Sequence, residues 1–466
     1  MLLKYILDKA LAQATYMVAD TDAGVALIID PSRDISPYLE VAAQEDVRIA
    51  HIAETHIHAD FASGARELAE ATGARLYLSA EGGPDWQYAY HSSDTRLLHD
   101  RDSWMVGKVK IEALHTAGHT PEHLSFLVTD TASADEPMGL FTGDFLFVND
   151  VGRPDLLETA AGVAGSKEPS ARQMFHSIQR IQSLPDYLQI WPGHGAGSAC
   201  GKAPGQIPSS VLGYEKRFNR AFTIKDEDEF VAWLLDGQPE APRYFSQMKR
   251  VNKAGPALLR DLAPVHQLDR AALDSALASG ALVIDAREID DFSRAHLRGV
   301  LNVPPVTRFN THAGWFVNYA ALTYLIADEA DVERLVRDLR AIGVDNIPGY
   351  FSPDLAAGDE TLQRITPEEL EQLRTSGKVL IVDVRAQSEY KDERIPDARH
   401  ILYGDLPQHV RDLPKDMLIV TQCASGIRSQ IAASYLEKQG FTQVASLIGG
   451  LEAWEAAGLP LESSGF

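Results

Sequence analysis

Four short motifs constrain this chain most, each placing a histidine or aspartate where a strand ends. The first, Thr55-His56-Ile57-His58-Ala59-Asp60-Phe61, follows the apolar-rich run from Val47 to Ala53. Two histidines and an aspartate at alternate positions put imidazoles and a carboxylate on one loop, an arrangement suited to a metal ion. A lone His-x-His would read as readily as a polar loop. The pattern recurs, however, in Thr116-Ala117-Gly118-His119-Thr120-Pro121, in Phe141-Thr142-Gly143-Asp144 and in Trp191-Pro192-Gly193-His194. Each sets a His or Asp beside a glycine after a β-branched or aromatic run, so strands deliver these side chains to a shared edge.

A chain of 466 residues, 45% hydrophobic and 23% charged, is expected to form two to four globular domains. Its formal net charge of -23 argues against nucleic acid or an anionic membrane surface as partner. The plainer reading of that charge is a solubilising surface. The first eight residues are too soon interrupted by charge for a signal peptide, and no apolar run approaches bilayer length. A cytoplasmic protein is expected. Cys200 and Cys423 are the only cysteines, which excludes a disulfide framework and leaves either thiol free for chemistry.

In order and separation the four motifs resemble the metallo-β-lactamase fold, an αββα sandwich, over roughly residues 1–240. Members with two zinc ions usually read His-x-His-x-Asp-His, whereas this chain has Phe61 last, and a phenyl ring cannot ligate. The branch it resembles is the persulfide dioxygenases. That resemblance implies one Fe(II) per chain held by His56, His119 and Asp144. Such a 2-His-1-carboxylate face leaves iron open positions for substrate and O2. His58, Asp60 and His194 then either form a second shell that orients ligands or water, or are remnants of a dinuclear site.

Val151-Gly152-Arg153-Pro154-Asp155 resembles the segment that follows the aspartate ligand in that branch, and makes Arg153 a candidate either for holding substrate or for pinning the loop. Ser170 to Leu184 reads as an amphipathic helix with Met174, Phe175, Ile178 and Ile181 near one face, and His176 there is packing or surface. The loop 195–202 lacks the tyrosine that glutathione-using relatives commonly carry, which leaves the thiol carrier open. Cys200 in this loop either accepts or relays a sulfane sulfur or is a small buried residue. Residues 241–265, punctuated by Pro and Gly, read as a linker.

An internal repeat occupies the rest. Leu273 to Arg287 parallels Leu370 to Arg385, each a helix, a Ser-Gly turn and a buried strand ending in Asp-x-Arg. The second copy, in Cys423-Ala424-Ser425-Gly426-Ile427-Arg428-Ser429, resembles the rhodanese fold, a match strengthened by Gly449-Gly450-Leu451-Glu452-Ala453-Trp454. A thiol in a loop curled onto a helix N-terminus sits in a cradle of backbone N–H groups and is set up as a nucleophile. Cys423 is the expected nucleophile, Arg428 binds an anionic donor or acceptor, and Ser425, Gly426 and Ser429 line the cradle. Cys423 and Arg428 have four residues between them, one fewer than the usual phosphatase loop. In the first copy the matching stretch, Ile326 to Asp331, has no cysteine and is acidic. It is expected to be a spacer, an interface or a docking platform.

The resemblances together imply an α/β chain: a metallo-β-lactamase αββα sandwich followed by two rhodanese-like α/β domains. The expected boundaries are 1–240, a linker over 241–265, an inactive rhodanese-like domain over 266–355 and an active one over 356–466. The implied function oxidises a low-molecular-weight persulfide with O2 to sulfite and couples this to sulfur transfer through Cys423, giving thiosulfate. The expected partners are that small-molecule persulfide, O2, sulfite and thiosulfate, with neither nucleic acid nor membrane, in a homo-oligomer. The alternatives are a dinuclear zinc thioester hydrolase of the glyoxalase II kind and a sulfur carrier with a degenerate metal domain.

Overall fold

Along the strand Gln13–Asp20, Ala14, Tyr16 and Val18 enter a cluster with Phe126, Phe141 and Trp191, while the intervening Met17 and Ala19 pack with Tyr38 and Leu68. Successive side chains leave opposite faces of a sheet, so a strand buried throughout must be covered on both sides. The computed structural model, which describes residues 1–159, 165–195, 198–202 and 204–463, meets that demand with two stacked six-stranded sheets. The first runs in chain order from Leu2–Asp8 through Gln13–Asp20, Val25–Ile29, Arg48–Ala53 and Arg75–Ser79 to Arg96–Leu98. The second orders its strands Ser210–Val211, Gln189–Pro192, Gly139–Gly143, Leu124–Asp130, Val109–His115 and Ser103–Val106.

Helices close both outer faces. Ala65–Thr72, stopped by the left-handed Gly73, contributes Ala65 and Leu68 to the cluster on the first sheet. Lys167–Ile181 buries Met174, Phe175, Ile178 and Ile181 with Leu127 and Leu140 of the second, on the face its spacing predicts, and leaves His176 exposed. Each fully buried large apolar side chain contributes about 1.5–3 kcal/mol. Two compact units make up the chain, Met1–Leu262 with Arg340–Gly343, and Ala263–Leu339 with Val344–Phe466.

The linker expectation for 241–265 is corrected as far as Leu262, which belongs to the first unit. Phe245–Ala254 is a helix, and its Asn252 side chain is buried. Asn252 Nδ2 donates to the carbonyls of His58 (2.8 Å) and Phe61 (2.7 Å), and its Oδ1 accepts from Ser63 N (2.8 Å). Backbone groups of an irregular loop need partners once buried, and here a distant helix supplies them.

The second unit holds two five-stranded parallel sheets. Their strands are His266–Gln267, Leu282–Asp285, Leu301–Asn302, Thr323–Ile326 and Gly349–Phe351, then Gln363–Ile365, Val379–Asp383, Arg399–His400, Leu418–Gln422 and Val444–Leu447. In both sheets the spatial order, counted along the chain, is first, fifth, fourth, second, third. The repeated Asp-x-Arg is a clamp in each copy: Arg287 Nη2 lies 2.6 Å from Asp285 Oδ2, and Arg385 Nη2 lies 2.7 Å from Asp383 Oδ2. Asp285 pairs with Ile326 and Asp383 with Gln422, so Ala327 stands where the second copy has Cys423. No helix among the described residues is long and apolar enough to cross a membrane.

Candidate metal centre and sulfur-transfer loop

Strand ends bring the four motifs together. Gly139–Gly143 pairs in parallel with Gln189–Pro192, so Asp144 and His194 leave adjacent strands at the same end. Gly143 lies at φ +48, and a Cβ there would meet Thr55 Oγ1 at 2.6 Å. A side chain at Gly152 would meet Asp144 O at 1.7 Å. Only glycine permits these approaches.

His56, His119 and Asp144 are all buried, with ligand atoms within 4.8 Å of one another. Asp144 Oδ2 is 3.9 Å from His56 Nε2 and 3.6 Å from His119 Nε2. Thr55 Oγ1 donates to Asp30 Oδ2 (2.8 Å), so its contact with His56 Nδ1 (2.9 Å) requires the proton on that nitrogen. His119 Nδ1 donates likewise to Arg153 O at 3.0 Å. Both Nε2 lone pairs are thereby turned to the cluster, as in metal-bound histidines whose other ring nitrogen is held by a hydrogen bond. Burial and then the neighbouring His58 push His56 well below the ordinary histidine range, and burial lowers His119 too. Neutral imidazoles result. Burial raises Asp144, but the charge of the neighbouring His194 outweighs it and holds the carboxyl well below its usual range. His56 Nε2 and both Asp144 oxygens are buried without hydrogen-bond partners, as a donor set built for a cation would be.

His58 takes no part in this group. Its Nε2 lies 3.0 Å from Glu54 Oε2 and 3.2 Å from Asp30 Oδ1. Burial lowers this histidine, yet the two carboxylates raise it well above its ordinary range. The Phe61 ring lies 4.4 Å from it. Asp60 and His194 instead join Cys200 in a second buried group. His194 Nε2 is at ion-pair distance from Asp60 (3.0 Å) and Asp144 (3.4 Å), while its Nδ1 faces Ala12 O at 2.9 Å. Burial lowers His194, but Asp144 and Asp60 prevail and raise it well above its ordinary range. These carboxylates call for one positive charge here, which a proton or a metal ion supplies.

Burial, with Asp60 and Asp144, pushes the Cys200 thiol up to about 12, so it stays protonated at neutral pH. The preceding Ala196 and Gly197 lie outside the described residues. Arg153 is buried and bonded within its own loop. Its guanidinium holds both Asp155 oxygens (2.9 and 2.7 Å) and Ala199 O (3.1 Å), and its backbone N–H donates to Cys200 O. Of its two expected roles, these contacts fit the loop pin.

Several groups around this centre carry no motif of their own. His123 Nε2 accepts the Asp144 N–H at 3.1 Å, its ring stacked 5.1 Å from His56. Glu122 Oε1 accepts the Ile57 N–H at 2.7 Å. The His-Leu pair after Thr-Pro-Glu was the available signal for His123. Asp30 is flagged only by the Asp-Pro that ends its strand.

In the second unit, the strand Leu418–Gln422 hands Cys423 to a loop that ends at the helix Ile427–Lys438. Gly426, at φ +102, turns its N–H to Cys423 Sγ at 3.2 Å, and the sulfur lies 3.6 Å from Ser429 Oγ. Ser425 is exposed at the loop crest. A Cβ on Gly450 would strike Cys423 O at 2.2 Å, which explains the Gly-Gly pair. Arg428 departs from expectation: rather than standing free for an anion, it is held at both nitrogens by Glu389, at 2.6 and 2.8 Å. In the first copy a cavity of about 470 Å³ at Ala327 has Glu288, Asp291, Asp328, Asp331 and Asp354 on its wall against Arg287 and Arg294, a lining whose net negative charge disfavours sulfur anions.

Comparison with known proteins agrees with this architecture. The metallo-beta-lactamase superfamily model matches residues 9–194, and the rhodanese-like domain model matches 366–457. A probable polyketide biosynthesis zinc-dependent hydrolase of Bacillus velezensis is 30% identical over 217 residues, 46% of this chain and 84% of that protein. A sulfurtransferase of Allochromatium vinosum is 39% identical over 101 residues, 22% of this chain and 94% of its own length. The crystal structure of a metallo-beta-lactamase from Staphylococcus aureus subsp. aureus COL is 42% identical, with a TM-score of 0.68, covering 76% of this chain and 99% of that one. The chain thus belongs to the metallo-beta-lactamase superfamily through its first domain and carries a rhodanese-like sulfurtransferase domain over residues 366–457.

Proposed function

We propose that the first domain is a mononuclear non-haem iron persulfide dioxygenase and that the rhodanese domain transfers sulfane sulfur through Cys423. The observation that carries this reading is the removal of His58: Glu54 and Asp30 draw it aside, Phe61 offers no donor, and His56, His119 and Asp144 remain. Two neutral imidazoles and one carboxylate suit ferrous iron with open positions. Iron held by these three residues would supply O2 activation toward the terminal sulfur of a low-molecular-weight persulfide. With O2 and one water, the sulfane sulfur becomes sulfite and the carrier thiol is released. Thr55 and the Arg153 carbonyl hold the imidazole tautomers, and burial keeps bulk water from the centre. On the rhodanese side the Cys423 thiolate attacks the outer sulfur of a second persulfide. The S–S bond breaks, the carrier thiolate leaves with the electron pair, and sulfite then attacks the sulfur held on Cys423. Thiosulfate forms as the Cys423 thiolate leaves with the bonding electrons. The two free cysteines fit a cytoplasmic setting.

One observation favours a second reading. Asp60, His194 and Cys200 could hold a second ion beside Asp144, which would restore the metal-hydrolase chemistry for which the Bacillus velezensis relative is named. The purified chain, loaded separately with iron and zinc and supplied with persulfides and thioesters, separates the two. O2 uptake with sulfite formation by the iron form supports the dioxygenase, and thioester turnover by the zinc form without O2 uptake supports the hydrolase.

A further inference from the structure

Thiosulfate carries two negative charges at neutral pH and sulfite between one and two, and a sulfurtransferase that uses them needs cationic charge near its sulfur. The Cys423 loop offers backbone N–H groups, but its own arginine is tied at both ends to Glu389, and that pair has no net charge. Another cation is needed. The cysteine-less copy has one in place.

Its short helix Phe309–Gly314 lies against the second copy. His312 Nδ1 is 3.1 Å from Tyr403 Oη, and the Trp315 and Phe316 rings sit 5.6 and 6.1 Å from the Tyr403 ring. Trp315 also rests on Gly404, where an added Cβ would come within 2.0 Å of its indole. Tyr403 begins the 3-10 turn Tyr403–Asp405, which packs on the helix that follows the Cys423 loop. Arg308 precedes His312 by one turn, since His312 N donates to Arg308 O at 3.1 Å, so the two share a face. Arg308 is exposed and has no ion-pair partner among the described residues. The electrostatics agree on its neighbourhood. Burial raises the Tyr403 phenol while Arg428 and Arg308 both pull it down, and Cys423 acts on the same group. Burial, then Arg308 and Arg428, lowers His312 to about 3, so that imidazole is neutral.

We infer that the cysteine-less copy walls the Cys423 pocket and that its Arg308 is the free cation that binds the oxyanion of the sulfur donor. This rests on the sulfurtransferase reading of Cys423 and deepens it. The Cys423 thiolate attacks the outer sulfur of thiosulfate, the S–S bond breaks, and sulfite leaves with the electron pair. Arg308 holds the departing sulfonate oxygens. It is a specificity residue for anionic donors.

The test uses the full chain with thiosulfate as donor and cyanide as acceptor, reading thiocyanate. Arg308→Ala should raise the KM for thiosulfate about tenfold, the loss of one charge-assisted hydrogen bond, with kcat changed far less. Arg308→Lys should recover part of it, and Arg270→Ala, on another helix of the same copy, should leave it unchanged. An alkyl persulfide with an uncharged tail should show no KM change in Arg308→Ala. An unaltered thiosulfate KM, or equal rises for both donors, overturns the inference alone. A wild-type chain that gives no thiocyanate overturns the sulfurtransferase reading, and the inference falls with it.

Discussion

His58 Nε2 lies 3.0 Å from Glu54 Oε2, so the second histidine of the His-x-His motif serves a carboxylate pair and not the cluster of His56, His119 and Asp144. Deleting one partner of a buried ion pair leaves the other uncompensated. Glu54→Ala also removes the acceptor for Ser63 Oγ. Urea denaturation should show a loss of about 3 kcal/mol, the lower end for breaking a buried pair, with metal still bound. Metal loss at unchanged stability would instead place Glu54 in the metal site.

Glu122 gives a stability signature in pH. Burial raises its carboxyl from an ordinary 4.5 to about 7, so the folded chain holds a proton that the unfolded chain has released between those values. Stability then falls as pH rises through that window, by about 3 kcal/mol for the shift of about 2.5 units. Glu122→Gln keeps an acceptor for Ile57 N and removes the titration. Denaturation curves should find the variant more stable than wild type at pH 8 and the difference gone by pH 4; a constant difference across the range would contradict the assignment.

Asn252 ties the metal loop to a helix 194 residues downstream of His58. Asn252→Ala leaves two carbonyls and one N–H of that loop without this partner. At about 1 kcal/mol or more for each buried group, a loss of about 3 kcal/mol is expected, together with weaker metal retention in a chelator titration. Full retention of metal would show that the loop keeps its shape unaided.

Cys423→Ser separates the two chemistries. O2 uptake with a persulfide substrate should stay largely intact while the product shifts from thiosulfate to sulfite, read by anion chromatography. Collapse of O2 uptake at unchanged iron content would break the proposed division of labour.

The two-layer fold and the meeting of the four motifs were legible because each depends on a strand end and a glycine, both local signals. The choice of His56 over His58 came from the resemblance alone. His56 and His58 look equivalent in the motif, and the choice between them is made by Asp30 and Glu54, through ion pairs that no spacing announces. The partner of Arg428 was hidden for the same reason, since Glu389 lies 39 residues earlier on another helix. The repeat was readable down to its Asp-x-Arg clamp, and strand register then fixed Ala327 as the residue in the cysteine's place. Residues 241–265 read as a linker because their Pro and Gly are local breaks, whereas Asn252 among them makes a long-range contact.

The central claim is that a lone ferrous centre sits on His56, His119 and Asp144. It is tested most directly by counting metals in the purified full chain while following O2 uptake on a low-molecular-weight persulfide, for wild type and Asp144→Ala. One iron per chain, sulfite formation, and loss of both in Asp144→Ala is the result expected. Two zinc ions per chain with no O2 uptake by the wild-type protein would contradict it.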